Sequence, residues 1–351
     1  MIVTEQNAVI IYSDLMAFLM MLGMVCLSSR FRGRRSVAAR LFLILCVGAM
    51  AEALLSMVCY SLHGQTFSWG RPAAWISKTL LEMTMLVLVF HWVMYVDFKL
   101  YGSRDRLIRT IAFLTAPLGL CALLLIVNLF TGIVFTINED LTYTGTVIYD
   151  VLMAVEFLYL LVPLFQTIVY HLKGHRFRFF RIAPVLIPAM TACIVDLTTP
   201  YSAAALGISI GLVFLYFSLV SEWRFEDRET GLCNKEYLRY LHEQVLLGRR
   251  TFRYAMTFTA GGDPGALVAI LKQEAPGNAE LIRTAHDSCV LLTENGDRSA
   301  LELLRLLVED AAGEYDAAHE NGRIDLHVQT YASRKDDVPA ALTETLLGKT
   351  V

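Results

Sequence analysis

Seven apolar runs, at residues 8–29, 41–62, 73–96, 110–135, 146–170, 182–197 and 203–220, follow one another along the chain and then stop. A helix needs about 20 apolar residues to cross the hydrocarbon core of a bilayer. Inside that core the backbone has no water to bond to, so such a run must satisfy its own amides and carbonyls and is driven into a helix. The pattern predicts a membrane all-α seven-helix bundle over residues 1–221. The sixth run is the shortest and carries Pro184 and Pro188, which predicts a kinked or partly unwound helix. Composition agrees: 56% of residues are hydrophobic and 18% charged, against about 45–50% and about 25% in soluble domains. The first run has no basic stretch before it and is long enough to span, so a membrane helix is expected there rather than a cleaved leader.

Cations mark one set of loops. Arg30, Arg32, Arg34, Arg35 and Arg40 follow the first run, Lys99, Arg104, Arg106 and Arg109 the third, and Lys173, Arg176, Arg178 and Arg181 the fifth, while the alternate loops hold little beyond Arg71. Short Lys/Arg-rich loops stay in the cytoplasm. The N-terminus is therefore expected outside and the C-terminus inside, in a cytoplasmic (inner) membrane. Trp69 and Trp75 near the outer face, and Trp92, Tyr95 and Trp223 near the inner one, suit interfacial belts. The seven cysteines, Cys26, Cys46, Cys59, Cys121, Cys193, Cys233 and Cys289, include no C-x-x-C pair. They predict small buried hydrophobes rather than a disulfide framework or a zinc site.

Ionisable groups inside apolar runs are costly and mark function by default. Asp14, Lys78, Asn128, Asp150 and Asp196 fall toward the outer ends of their helices, and Glu52, Glu82 and Glu156 nearer the middle. Lys78 and Glu82, four apart, share a helix face and can pair. Together these residues predict a polar, mainly acidic pocket open to the outside, suited to a cationic or hydrogen-bonding small ligand, or to protons. The competing reading is interhelical hydrogen bonding plus side chains that reach to the surface.

From residue 222 to 351 the pattern changes to short alternating elements. Helices are predicted at 236–247, 265–272, 297–318 and 339–347, and strands at 252–259, 281–284, 289–293 and 324–331. His242, His286, His319 and His327 lack metal-ligand spacing. Charges of both signs without a basic stripe argue against a nucleic-acid partner.

Two stretches here resemble the GGDEF family of diguanylate cyclases. Asp227-Arg228-Glu229-Thr230-Gly231-Leu232-Cys233-Asn234-Lys235 resembles the family's D-x-L-T-G-L-x-N-R opening, with Asp227, Thr230, Gly231, Leu232 and Asn234 in the matching places. The segment RTAHDSCVLL resembles the R-x-GGDEF hairpin: Arg283 is kept, Ala285 and His286 stand for the glycines, Asp287 for the first acid, Ser288 for the glutamate and Cys289 for the phenylalanine. The resemblance implies an α/β (α+β) domain with a central, mostly antiparallel sheet. It also implies lost catalysis. The family holds two magnesium ions between carboxylates of the first strand and the hairpin to stabilise charge during phosphoryl transfer, whereas RYAMTFTA, the first strand here, has no carboxylate. The family's F-K-x-x-N-D-x-x-G-H stretch is missing, its inhibitory R-x-x-D position reads Pro276-Gly277-Asn278-Ala279, and its C-terminal tail reads ALTETLLGKTV. Gly261-Gly262-Asp263 mimics the family name but matches the G-D that opens the next helix.

The seven-run region resembles, in topology and arrangement, the seven-helix sensor regions of bacterial histidine kinases and cyclases. A retinal Schiff base is not expected, since the last run has no lysine. The chain thus reads as a bacterial transmembrane signalling receptor, without cofactor or bound metal, that senses a small molecule or a membrane state. Its output is a catalytically inactive cyclase-like domain acting by nucleotide or protein binding, as a homodimer or with a partner cyclase. Two alternatives stay open: a divergent cyclase making cyclic di-GMP from GTP, and a transporter with a regulatory tail, which an internal repeat would favour and none does.

Overall fold

The computed structural model describes residues 5–29, 37–65, 69–101, 104–172, 182–199, 201–227, 229–247, 252–261, 263–275, 279–293, 298–318, 324 and 326–332. By its contacts the chain divides into two units, with the main division between Leu219 and Val220.

The first unit is built on α1 (Glu5–Ser29), α2 (Val37–Leu62), α3 (Gly70–Tyr101), α4 (Arg104–Thr131), α5 (Val147–Leu172), α6 (Ala183–Thr198) and α7 (Ala204–Phe225), the last running past the division. All but α6, six in number, are long and apolar enough to cross a membrane. With 16 residues, α6 extends about 24 Å at the helical rise, short of a hydrocarbon core of about 30 Å. The helices are apolar on their outer faces too: Phe113, Phe165 and, at 87% exposure, Phe130 are mostly uncovered. Helices apolar all round belong in lipid, and by length and composition the chain is a multi-pass membrane protein.

Packing follows chain order at first, α1 on α2, α2 on α3, and α3 on both α4 and α5. Between α6 and α7 the approach is closer. A Cβ on Gly207 would lie 2.7 Å from the Pro188 carbonyl oxygen, and one on Gly211 would lie 2.6 Å from that of Val185. These glycines, one turn apart, let the α7 backbone rest on α6. Ala17, Ala53 and Ala205 form a small-residue contact among α1, α2 and α7.

Two sequence expectations need correction. The fourth run does not stay helical to residue 135: α4 ends at Thr131, Gly132 turns the chain at φ +67°, and Phe135–Ile137 (β1) pairs antiparallel with Tyr143–Gly145 (β2). Asn128 makes the change of direction, its Oδ1 accepting from the amides of Val134 at 2.6 Å and Phe135 at 3.2 Å. An apolar run does not by itself distinguish helix from strand. The sixth run does not unwind: it is one continuous helix, with Pro188 inside it. Pro184 sits in its first turn, where the missing N–H has no partner to lose.

In the second unit α8 (Lys235–Leu246) precedes β3 (Tyr254–Ala260), α9 (Pro264–Glu274), β4 (Glu280–Arg283), β5 (Ser288–Thr293), α10 (Arg298–Ala318) and β6 (Leu326–Ala332). The sheet order is β4-β5-β3-β6 with every pairing antiparallel, a split β-α-β arrangement. Met256, Phe258, Ala260, Leu281, Cys289 and Leu291 share a core with Leu267 and Leu271 of α9 and Leu304 and Val308 of α10. Ile282, Val290 and Leu292 alternate to the other face and are buried as well, with α8 against β4. Burial on both faces is why this stretch reads as an unbroken apolar run. The expected helix at 339–347, the ALTETLLGKTV tail, Arg228, Gly262, Pro276-Gly277-Asn278 and His319 lie outside the described residues, as do Arg30, Arg32, Arg34, Arg35, Lys173, Arg176, Arg178 and Arg181.

Candidate functional site

Six of the polar residues read from the apolar runs, Glu52, Lys78, Glu82, Asp150, Glu156 and Asp196, line one cavity of about 720 Å³ in the first unit. Helical spacing sets the pair at its heart, Lys78 Nζ lying 2.6 Å from Glu82 Oε1. The Tyr149 hydroxyl, from the first turn of α5, donates to the same oxygen at 3.2 Å and accepts from Lys78 at 3.4 Å. The Tyr143 ring, carried on β2, lies 4.3 Å below the Lys78 ammonium, close enough for cation–π attraction. The lysine is thus matched where it stands.

Glu52 on α2 and Glu156 on α5 are not matched. They are 3% and 5% exposed, and Glu52 Oε2 and Glu156 Oε1 have no hydrogen-bond partner among the described residues. A buried carboxylate without a partner is costly and calls for a proton or a bound cation. Asp196 is engaged, its Oδ1 accepting from the Ala203 amide at 2.5 Å across the turn between α6 and α7. Asp150 is exposed, in the first turn of α5.

The remaining two predicted residues lie off the cavity wall. Asp14 is buried behind it, hydrogen-bonded to Ser56, which does line the cavity. Asn128 belongs to the turn after α4 and not to the pocket. Sequence reasoning missed Tyr60, His63, Tyr143, Tyr149 and Tyr201, which also line it, and assigned Trp92, another lining residue, to a membrane belt. The available signal was the cluster of tyrosines beside acidic residues at the helix ends. Asp97 was missed as well: it is buried, 3.3 Å from the Arg106 Nε.

In the second unit the two motif stretches meet. The Arg283 side chain is 9% exposed, and its Nη1 donates to Asp227 Oδ2 at 2.8 Å and Glu229 Oε2 at 2.9 Å. Its Nη2 lies 2.9 Å from His286 Nδ1 and donates to the His286 carbonyl at 3.2 Å. Asp227 also accepts from the Thr230 amide and hydroxyl at 3.0 and 2.7 Å. Burial opposes its charge, but the bonds from Thr230 and Arg283 prevail and hold its carboxyl below the ordinary range. Gly231, at φ +68°, permits the turn, and buried Leu232 joins the core. Asn234 caps α8 through Oδ1 to the Tyr237 amide at 3.1 Å and returns its Nδ2 to the Arg224 carbonyl at 2.7 Å. Opening motif and hairpin form one hydrogen-bonded body.

The hairpin tip is closed by its own groups. Ala285 and His286 turn without positive φ, and the Ser288 hydroxyl donates to Asp287 Oδ1 at 3.0 Å. Burial pushes the Cys289 thiol up to about 12. Asp263 is spent as the cap of α9, accepting from Gly265 and Ala266 amides through Oδ1 and from the Tyr315 hydroxyl through Oδ2. With no carboxylate on β3 to face Asp287, these residues do not fit a pair of magnesium ions. Among the described residues no group of three or more His, Cys, Asp or Glu is placed to hold a metal ion. No protein-family model and no curated protein matches the chain.

Proposed function

We propose that the chain is a membrane signalling receptor whose seven-helix region, N-terminus outside, binds a small ligand in the acidic cavity and relays its binding to a catalytically inactive GGDEF-like output domain in the cytoplasm. The observation that carries this reading is the Arg283–Asp227 link. The opening motif follows the last membrane helix directly, so a shift of α7 is felt first at Asp227 and through Arg283 at the hairpin that resembles a cyclase active site. A ligand that binds one arrangement of the bundle better than another supplies the bias. The output is binding, of a nucleotide or of a second protein such as a partner cyclase, since the hairpin lacks the acids for phosphoryl transfer.

The test uses the full chain in lipid nanodiscs, followed by hydrogen exchange at residues 226–234 and 280–293. A ligand that protects the cavity helices is expected to change exchange in both segments. Occupancy of the cavity with no change there would sink the relay, and ligand uptake into sealed vesicles would make the chain a transporter. Cyclic di-GMP formed from GTP with Mg²⁺ or Mn²⁺ would make the domain a divergent enzyme.

A further inference from the structure

The cavity's charges are out of balance in a way that describes its occupant. Among the described residues five carboxylates line it, those of Glu52, Glu82, Asp150, Glu156 and Asp196, against one lysine. Lys78 is committed to Glu82. At His63, just beyond α2, burial outweighs the opposing pull of Asp140 and favours the neutral ring. Among the described residues two acceptors on this wall are thus left without partners, Glu52 Oε2 and Glu156 Oε1. They stand on different helices and are more than nine-tenths buried.

The rest of the wall is mostly apolar, including Leu45, Leu88, Val89, Met153 and Phe157. A single ammonium held at one carboxylate leaves the other without a counter-charge. A metal ion is poorly served, because no group of three ligating side chains occurs among the described residues. The site already holds one ammonium against aromatic faces, Lys78 Nζ being 4.3 Å from the Tyr143 ring and 5.4 Å from that of Tyr149. The volume of about 720 Å³ accepts an extended chain and lies in the usual range for small-molecule sites, about 300–1,000 Å³.

Building on the ligand-pocket reading above, we infer that the cavity takes a linear organic polyamine, two or more ammonium groups joined by hydrocarbon, with Glu52 and Glu156 as its counter-charges and the apolar wall against its methylenes. No covalent step is involved. Binding gives the two unpartnered carboxyl oxygens ammonium donors, in two charge-assisted hydrogen-bonded pairs.

The test is calorimetric titration of the full chain in nanodiscs of zwitterionic phosphatidylcholine, which does not itself attract polyamines. The probes are spermidine, 1,4-diaminobutane, butylamine and 1,4-butanediol. Spermidine and 1,4-diaminobutane are expected to bind with butylamine weaker by about tenfold or more, the worth of one charged hydrogen bond, and the diol is expected to give no heat. Glu52→Gln and Glu156→Gln each weaken the diamine by about tenfold on the same grounds, while Glu243→Gln, exposed on α8 in the second unit, leaves it unchanged. If either glutamine variant fails to fold, the probe series on the unaltered chain decides. No diamine binding, or diol binding equal to diamine binding, overturns the proposal. Glu52-dependent binding of the diol removes the amine class but keeps the pocket. Diamine binding that both glutamine variants leave intact places the cation elsewhere, and the class and the pocket fall together.

Discussion

Arg283 connects more of the second unit than any hydrophobic residue its size could, because a guanidinium has five donors in a fixed plane. It binds two acidic groups of the opening motif and the hairpin's own His286. Replacing Asp227 by alanine leaves the guanidinium buried with an exposed glutamate as its remaining anion, and is expected to cost about 1.5–3 kcal/mol of unfolding free energy in urea. The acid dependence has a defined sign. A carboxyl held below its usual value contributes stability that is full above the unfolded pKa and is lost as pH falls through the folded one. The difference in stability between the unaltered chain and Asp227→Asn should therefore be constant at neutral pH and shrink below about pH 4, where carboxylates titrate. Gly231 tests the backbone alone. An added Cβ would find no atom nearer than 3.7 Å, so Gly231→Ala should cost only the left-handed conformation, about 1–2 kcal/mol. Cys289, buried with its thiol pushed up to about 12, should resist iodoacetamide at pH 8 until the unit is unfolded.

Helices and strands differ in how plainly their residues announce them. Long runs such as α3, with 32 residues, are legible because a bilayer demands that length and no soluble element mimics it. The fourth run misleads at its end, since Val134 and Phe135 are as apolar as the helix before them. There Gly132 and the Asn128 side chain make the chain turn into β1, and both act through geometry rather than hydropathy. That hairpin matters, because it carries Tyr143 to Lys78. The seam between α6 and α7 is a contact of backbone on backbone at Gly207 and Gly211. Gly211→Leu must push Val185 away, and overpacking of this kind typically costs about 1–3 kcal/mol. It should lower the melting temperature of the chain in nanodiscs, whereas Gly119→Leu, with no atom in the way, should leave it unchanged.

Across the molecule as a whole, the orientation proposed from the basic loops is open to direct test. Single cysteines placed at Arg71 and at Lys99, near opposite ends of α3, should react differently with a membrane-impermeant thiol reagent. Arg71→Cys should label in intact cells and Lys99→Cys only after permeabilisation; the reverse result would invert the proposed topology and place the second unit outside. The arrangement proposed here also explains why so many ionisable side chains are retained within apolar helices. A bound cation would offset the cost of carrying Glu52 Oε2 and Glu156 Oε1 without partners among the described residues.

By itself the sequence determined the class of the molecule, its apolar helices, the α/β order of its second unit and the acidic character of the membrane interior, because hydropathy and period are local properties of the chain. It also placed Lys78 and Glu82 on one face, since helical spacing is local too. Which carboxylates would be satisfied was decided only by the tertiary structure. Asp196 is claimed by the Ala203 amide, Asp14 meets Ser56 while its Oδ2 has no partner among the described residues, Asn128 is used in a turn, and Glu52 and Glu156 are left facing a cavity. Those outcomes depend on partners distant along the chain, from other helices and from a hairpin no periodicity announced, and side-chain hydrogen bonds over such separations leave no mark in the spacing of residues.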